Sequence, residues 1–360
     1  MNENLARTAA MFRLAAAPNS IEPYGNGHIN DTYLVTTDVA RYIMQRLNRF
    51  VFARPDLVIQ NIKRVTDHLA KKIAEEGGDP GRETLSLVPT VDDKLFFLDE
   101  QGEYYRIYPF IERTVSVDLP DTPELFGRSA QAFGRFQRQL ADFPVNELHE
   151  SIAHFHNTPD RFRKLLTAID EDRAGRKKDV APEIGFAMAY EREVRTLLDA
   201  GLPLRITHND TKLNNVLMDE RTGEGVCVID LDTVMPGLAA YDFGDSIRFG
   251  ANTAVEDEPD LRKVGIDLSM FEAYAKGYLG AVGSTLTAQE IALLPMGAKL
   301  MTLECGIRFL TDHLNGDIFF KTHRVNHNLD RARNQFALVC DMEANWSRMQ
   351  RIIEREASQS

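Results

Sequence analysis

The segment LRITHNDTKLNNVLMD, Leu204 to Asp219, restricts what this chain can become more than any other. Leu204 and Ile206 on one side, and Val216 to Met218 on the other, read as strand edges. Between them stand a His, an Asp, a Lys and three Asn, which would be costly to bury without partners. A simple reversal would draw on Gly or Pro, and the segment has neither. An Asx-rich surface turn would account for the loop alone. A strand, a loop dense in functional side chains, and a second strand point instead to a site carried on a rigid frame.

The surroundings of that unit fall into two compositions. Before residue 109 the pattern is strand-rich: IEPYGNGHINDTYLVTT reads as strand, glycine-containing turn, strand, and RYIMQRL as a third strand. One long helix is predicted over Asp56 to Glu76, with Leu57, Ile62, Val65, Leu69 and Ile73 at helical spacing. EEGGDPG ends it, and two more strands are expected near Leu85 to Val88 and Tyr104 to Tyr108, with DKLFFLDEQG between them as a hairpin arm. Thereafter helical periodicity dominates, over Pro120–Ala141, Arg161–Ile169, Glu183–Ala200, Ser269–Leu279, Ala288–Leu314 and His327–Ile353. The charged run DRAGRKKDV reads as a solvated loop. The expected architecture is α+β and bilobal. Residues 1–108 form a small antiparallel-sheet lobe with one long helix, 109–113 a hinge, and 114–360 a larger, mainly helical lobe. A cleft between two such lobes would suit a small ligand.

Bulk properties remove several function classes. With 42 Lys and Arg against 54 Asp and Glu, the formal net charge of −12 argues against a general nucleic-acid binder, which would show a basic face. Cys227, Cys305 and Cys340 are odd in number and contain no CxxC pair, so neither a disulfide framework nor a zinc cluster is expected. The N-terminal ARTAAMFRLAAAP is interrupted by Arg13 and reads as an amphipathic helix, not a signal peptide. No stretch approaches the roughly 18 to 20 apolar residues of a membrane span. A cytoplasmic protein with no membrane and no nucleic-acid partner is the expectation.

The polar loop fits the demands of phosphoryl transfer: a carboxylate for the attacking hydroxyl, oxygen ligands for Mg²⁺, and a cation facing the γ-phosphate. Asp210 supplies the first, Lys212 the last, and Asn215 stands five positions after Asp210, the Asp-to-Asn spacing of the kinase loop HRDxxxxN. A second metal ligand should end a later strand, and GEGVCVIDLDTVMPG places Asp230 there, with Asp232 on the same strand parity. YDFGDS contains a literal Asp-Phe-Gly, but Asp242 opens a predicted helix and does not follow a strand, so it is assigned to capping that helix or bracing the polar loop.

In the small lobe, Gly25 and Gly27 of YGNGHIND would let backbone N–H groups approach phosphate oxygens. The third strand lacks the lysine that many kinases place there to grip the α- and β-phosphates; Gln45 falls at that position. Either Gln45 contacts the phosphates without charge, or the lysine's task has moved. YPFIER forms the hinge; Pro109 has no N–H, so a backbone donor to an adenine edge would come from a neighbour such as Ile111. His154 and His156 stand two apart with no third ligand nearby, which disfavours a metal site. His208 is expected to hold the loop through backbone bonds.

Taken together, ITHNDTKLNNVLMD, VIDLDTVMPG and YDFGDSIRFG resemble the aminoglycoside-phosphotransferase and choline-kinase-like branch of the protein-kinase fold. Within it, IEPYGNGHIN and ECGIRFLTDHLNGDIFF make the chain similar to bacterial N-acetylhexosamine 1-kinases nearly end to end. That resemblance implies ATP- and Mg²⁺-dependent phosphorylation of the anomeric hydroxyl of N-acetylglucosamine or N-acetylgalactosamine. It implies Asp210 as base, Asn215 and Asp230 on magnesium, and sugar contacts at His28, Phe249, Arg308 and Phe319. Lack of a lysine at Gln45 is shared with the subgroup, whereas Phe319 stands where a tyrosine is expected. The alternatives are a kinase of the same fold acting on homoserine, choline or an aminoglycoside, and a non-catalytic nucleotide-binding regulator.

Overall fold

The computed structural model describes residues 3–25 and 29–359, and its architecture is α+β, with strands early and helices late. It has two compact units. The first comprises Met1–Ser116, Gln139–Ala153 and Val216–Pro236, and the second Val117–Arg138, His154–Asn215 and Gly237–Ser360.

In the first unit, α1 (Glu3–Ala10) precedes strands β1 (Pro18–Pro23), β2 (Asp31–Thr37), β3 (Arg41–Arg46), β4 (Phe97–Leu98) and β5 (Tyr104–Pro109). They form one antiparallel sheet in the order β1-β2-β3-β5-β4. Alternation turns Val35, Tyr42, Met44, Tyr105 and Ile107 onto one face, where they pack with Ala9 and Phe12 at the end of α1. β5 is buried along both faces, so Arg106 and Tyr108 are covered as fully as Tyr105 and Ile107. Register places Gln45 of β3 opposite Arg106 of β5.

Helix α2 (Pro55–Glu75) starts with Pro at its first position and Asp56 in its first turn, as the helix dipole favours. It buries Val58, Ile59, Ile62, Val65, Leu69 and Ile73, and its Asn61 side chain bonds the His149 and Val234 carbonyls at 2.7 and 3.2 Å. Beyond the short α3 (Pro80–Glu83), the strand expected over Leu85 to Val88 does not form. Val88 N–H reaches the Ile107 carbonyl at 2.8 Å, and Pro89, with no N–H, ends the pairing there. A three-stranded sheet joins β6 (Thr114–Val115), β8 (Val216–Asp219) and β9 (Gly225–Val228). Its hairpin is tied by Asp219, which accepts the N–H groups of Arg221 and Thr222 at 2.9 and 3.0 Å. Those bonds, with Arg82 at 2.7 Å, pull its carboxyl down to about 2.

The second unit is mainly helical and carries the short strand β7 (Arg205–Thr207). Its helices are α4 (Pro123–Gln139), α5 (Thr158–Glu171), α6 (Ala181–Ala189), α7 (Thr196–Asp199), α8 (Ala239–Gly250), α9 (Leu268–Val282), α10 (Ala288–Ala292), α11 (Leu294–Asn315), α12 (His327–Ala344) and α13 (Trp346–Ala357). Three helices expected as continuous are each two. Pro295 forces the break between α10 and α11, because its ring clashes with the preceding turn and it donates no bond. Asn345, with its side chain on the Asp341 carbonyl at 3.0 Å, separates α12 from α13. The break at Tyr190 to Arg192 has no local sequence signal. The run expected as a solvated loop, Asp172 to Val180, is anchored: Arg176 bonds the His313 carbonyl at 2.9 Å and Val180 is fully buried.

Close helix packing sets the frame of this unit. A Cβ on Gly244 would run into the Gly297 carbonyl, and one on Gly297 into the Ala240 carbonyl, so α8 lies against α11 at backbone contact. The result is a helix buried along almost its whole length, carrying Asp242, Asp245, Ser246 and Arg248 on fixed backbone. Among the described residues, no helix is long and apolar enough to cross a membrane.

Candidate active site

The loop after β7 is built on carboxylates from α8. Asp242 accepts the backbone N–H of His208 at 2.9 Å and of Asn209 at 2.7 Å. The Asp of the literal Asp-Phe-Gly thus braces the polar loop. One turn along, Asp245 accepts the N–H of Thr211 at 3.0 Å, and Ser246 donates to the Thr211 carbonyl at 2.6 Å. Tyr274 in turn donates to Ser246 at 2.6 Å. These bonds hold Asn209 at a left-handed φ of 64°, a conformation that asparagine tolerates better than most side chains. Burial raises the Asp242 carboxyl above its ordinary range against the pull of His208 and the two N–H bonds.

His208 accepts the Asp210 N–H at 3.3 Å and stands edge-on to Phe133 and Phe136, so it holds backbone as expected. From beneath, His156 bonds the Asn209 carbonyl through Nε2 and Glu304 through Nδ1, each at 3.0 Å. Both ring nitrogens face acceptors, which suits an imidazolium. Burial opposes that charge, but Glu304 outweighs it and raises the His156 pKa. The His154/His156 pair is accordingly structural at His156.

Asp210 emerges from this frame with a quarter of its side chain exposed and Lys212 Nζ at 2.8 Å. Burial works against its charge; Lys212, with His208 and Arg248 behind it, overcomes that and holds the carboxyl below its usual range. Asp210 in turn raises Lys212 above the ordinary ammonium value. Asn215 donates through Nδ2 to the Asp210 carbonyl at 2.8 Å and to its carboxylate at 3.2 Å, which leaves Oδ1 as the end a cation would use. Base candidate, cation and amide are therefore brought together on one loop.

Further along the second unit, Phe249 is half-buried near the end of α8. Arg308 of α11 stacks over Phe155 and Phe320, with centroids 5.8 and 5.5 Å away. Phe319, 69% exposed, meets Phe320 edge-on. The segment bearing it is fixed by Asp312, which accepts the N–H groups of Ile318, Phe319 and Phe320 at 2.9 to 3.0 Å. Phe320 thus links Arg308 with Phe319.

In the first unit, Asp230 follows β9 at a left-handed φ of 58° and opens the turn Leu231 to Thr233. Gly25 has a φ of 74°, which its missing Cβ permits. Gln45 is engaged with Thr32 and Arg106, and buried Ile111 accepts a bond from Thr114 at its carbonyl. Gly27 and His28 lie outside the described residues. Sequence reasoning missed Arg106, Asp245, His156 and Glu304. A lone Arg inside the otherwise apolar YYRIYP was a usable signal for the first, and the helical spacing of Asp245 from Asp242 for the second. Nothing local could pair His156 with Glu304, which stands 148 positions away.

The fold recurs among solved structures. A microcompartment-associated aminopropanol kinase superposes with a TM-score of 0.63 at 16% identity, covering 97% of this chain and 98% of that one. A spectinomycin phosphotransferase, solved with ADP and spectinomycin, gives 0.60 at 13%, covering 95% and 98%. A choline kinase from Cryptosporidium parvum gives 0.59 at 12%, covering 99% of each chain. At such identities the likeness speaks for fold alone. A sequence model of the phosphotransferase enzyme family (APH) matches residues 20–279, and this kinase-fold chain belongs to that family.

Proposed function

We propose that the chain transfers the γ-phosphoryl group of ATP to the anomeric hydroxyl of N-acetylglucosamine or N-acetylgalactosamine, releasing ADP and the sugar 1-phosphate. The observation carrying this reading is the braced Asp210, ionised and partly exposed with Lys212 at 2.8 Å. The hydroxyl oxygen forms the new P–O bond, the bond to the bridging β,γ-oxygen breaks, and the hydroxyl proton passes to Asp210. Lys212 holds Asp210 ionised until the γ-phosphate competes for the ammonium, which returns basicity to the carboxylate as the acceptor arrives. An anomeric hydroxyl is more acidic than an ordinary alcohol, so a carboxylate suffices.

Asn215 and Asp230 are assigned to Mg²⁺. A carboxylate and an amide oxygen, with water and phosphate completing the shell, are the donors this small hard cation takes. Among the described residues no group of three or more His, Cys, Asp and Glu could hold a metal ion on its own. Bound Mg²⁺ would neutralise charge on the transferred group. Gly25, Gly27, Gln45 and Ile111 are assigned to the nucleotide, and His28, Phe249, Arg308 and Phe319 to the sugar. A guanidinium among phenyl rings suits a neutral, oxygen-rich ring better than an ammonium, which is the argument against a cationic acceptor.

The names of the structural neighbours favour a second reading, an amino alcohol or aminocyclitol acceptor. ³¹P NMR of the product from ATP, Mg²⁺ and each hexosamine in separate tubes decides between them. A sugar 1-phosphate resonance split by the anomeric proton supports the proposal. ADP formation with aminopropanol or choline, and none with either hexosamine, would replace it; no turnover with any acceptor would favour a nucleotide-binding regulator.

A further inference from the structure

β3 carries no lysine, yet the first unit buries a full positive charge one strand away. The Arg106 side chain is 1% exposed. Its Nε and Nη2 donate to Gln45 Oε1 at 3.1 and 2.8 Å, and its Nη1 pairs with Asp232. Asp232 Oδ2 accepts from Asn30 Nδ2 at 2.6 Å, and Asn30 Oδ1 accepts the N–H of Asn48 at 3.0 Å. Gln45 Nε2 donates onward to Thr32 at 3.1 Å, while the guanidinium lies 5.2 Å from the Tyr108 ring centroid.

A sheet position that needed only packing would be filled by Val or Ile. Burying a guanidinium costs several kcal/mol unless its edges are matched; here one edge takes an amide oxygen and the other a carboxylate, which a fork can do and an ammonium cannot. Burial alone would lower the Arg106 pKa; Asp232, with Asp230 adding to the pull, instead raises it further above the already high guanidinium value. The cation is thus paired with Asp232, two positions after Asp230 in the same turn.

We propose that Arg106 is the positioning residue that takes over the electrostatic work of the absent β3 lysine, fixing the Asp230–Asp232 turn and, through Asp232 and Asn30, the approach to β2. It reaches from β5, at the register position opposite Gln45. Without it, Asp232 would lose its buried counter-charge two positions from Asp230 in the same turn. This inference rests on Asp230 as a cation ligand but not on the identity of the acceptor.

The test moves the charge back. Arg106→Gln is expected to weaken Mg²⁺·ADP binding, read by calorimetry, by about tenfold or more, and to raise the Mg²⁺ concentration needed for half-saturation. Adding Gln45→Lys to that variant returns a cation across the same register and is expected to recover most of the loss. A merely packing role would lower the melting temperature of Arg106→Gln but leave binding well below the melt, and its Mg²⁺ dependence, unchanged. A folded Arg106→Gln that binds Mg²⁺·ADP within about twofold of the wild type overturns the proposal, as does a folded double variant no better than the single one. If Arg106→Gln does not fold, Asn30→Ala serves instead, with weakening of about threefold expected and unchanged binding counting against the idea. Wild-type protein that binds Mg²⁺·ADP but phosphorylates neither hexosamine sinks the acceptor reading and leaves this one standing.

Discussion

Two acidic turns carry the proposed chemistry, and they are held in place by opposite means. The Asp210 loop of the second unit is gripped redundantly. Asp242 takes two of its N–H groups, Asp245 a third, Ser246 a carbonyl, and His156 another carbonyl from below. The Asp230 turn of the first unit leans on a buried ion pair, Arg106 with Asp232, extended by Asn30. A redundant brace should lose function in small steps as bonds are removed. Removing one partner of a buried ion pair should cost more at a stroke, because it leaves the other charge buried without its counter-ion.

The largest effect is expected at the proposed base. Asp210→Asn should keep the fold and Mg²⁺·ADP binding while turnover falls by about 10²- to 10⁴-fold, measured as single-turnover ADP release. Equal loss of binding would mean that Asp210 is structural. Next, Arg106→Met should lower the unfolding free energy by about 3 to 5 kcal/mol in urea titrations, by orphaning Asp232. Asp242→Asn should cost less, about 1 to 3 kcal/mol, since an amide can still accept one of the two N–H bonds and the neighbouring braces remain. If Asp242→Asn proved the more damaging of the two, the contrast between shared hydrogen bonds and a buried ion pair would be wrong.

What could be read from the sequence divides along the same contrast. The polar loop and its spacing, the long α2 and the helical second half all follow from local patterns, and each has its counterpart in the structure. The bracing role of Asp242 was also legible, because its place early in a helix is a local fact, and it accepts two N–H groups of the polar loop. Arg106 was not read because its meaning lies in a cross-strand partner and in a carboxylate 126 positions on, neither visible in a strand pattern. His156 was read only negatively, as an unconvincing metal ligand, because Glu304 comes from a distant helix. The missing strand at Leu85 to Val88 and the split helices have local causes at Pro89, Pro295 and Asn345, which periodicity smoothed over. For Phe249, Arg308 and Phe319, expected at the sugar from the resemblance, the half-burial of Phe249 and the stacking of Arg308 are what ordinary core packing also produces.

The smallest predicted effect concerns pH and tests the redundancy itself. His156 is raised by Glu304 above its unfolded value near 6.5. A raised imidazole contributes stability that is fully present below that unfolded value and is lost as pH climbs through the folded one. The groups facing it are Glu304, the Asn209 carbonyl, the rings of Phe155 and Tyr241, and the more remote Asp245 and Asp242. Wild-type protein should therefore lose stability on the alkaline side of pH 6.5, and His156→Gln, which can still bond Glu304 and the loop, should lose less over the same range. Melting temperatures between pH 6 and 9 read the difference directly. Because three other braces remain, turnover by His156→Gln at pH 7 should fall by no more than about tenfold. A collapse of activity with the melt intact would show that the loop depends on this one buried charge, and the two acidic turns would then be held by the same principle after all.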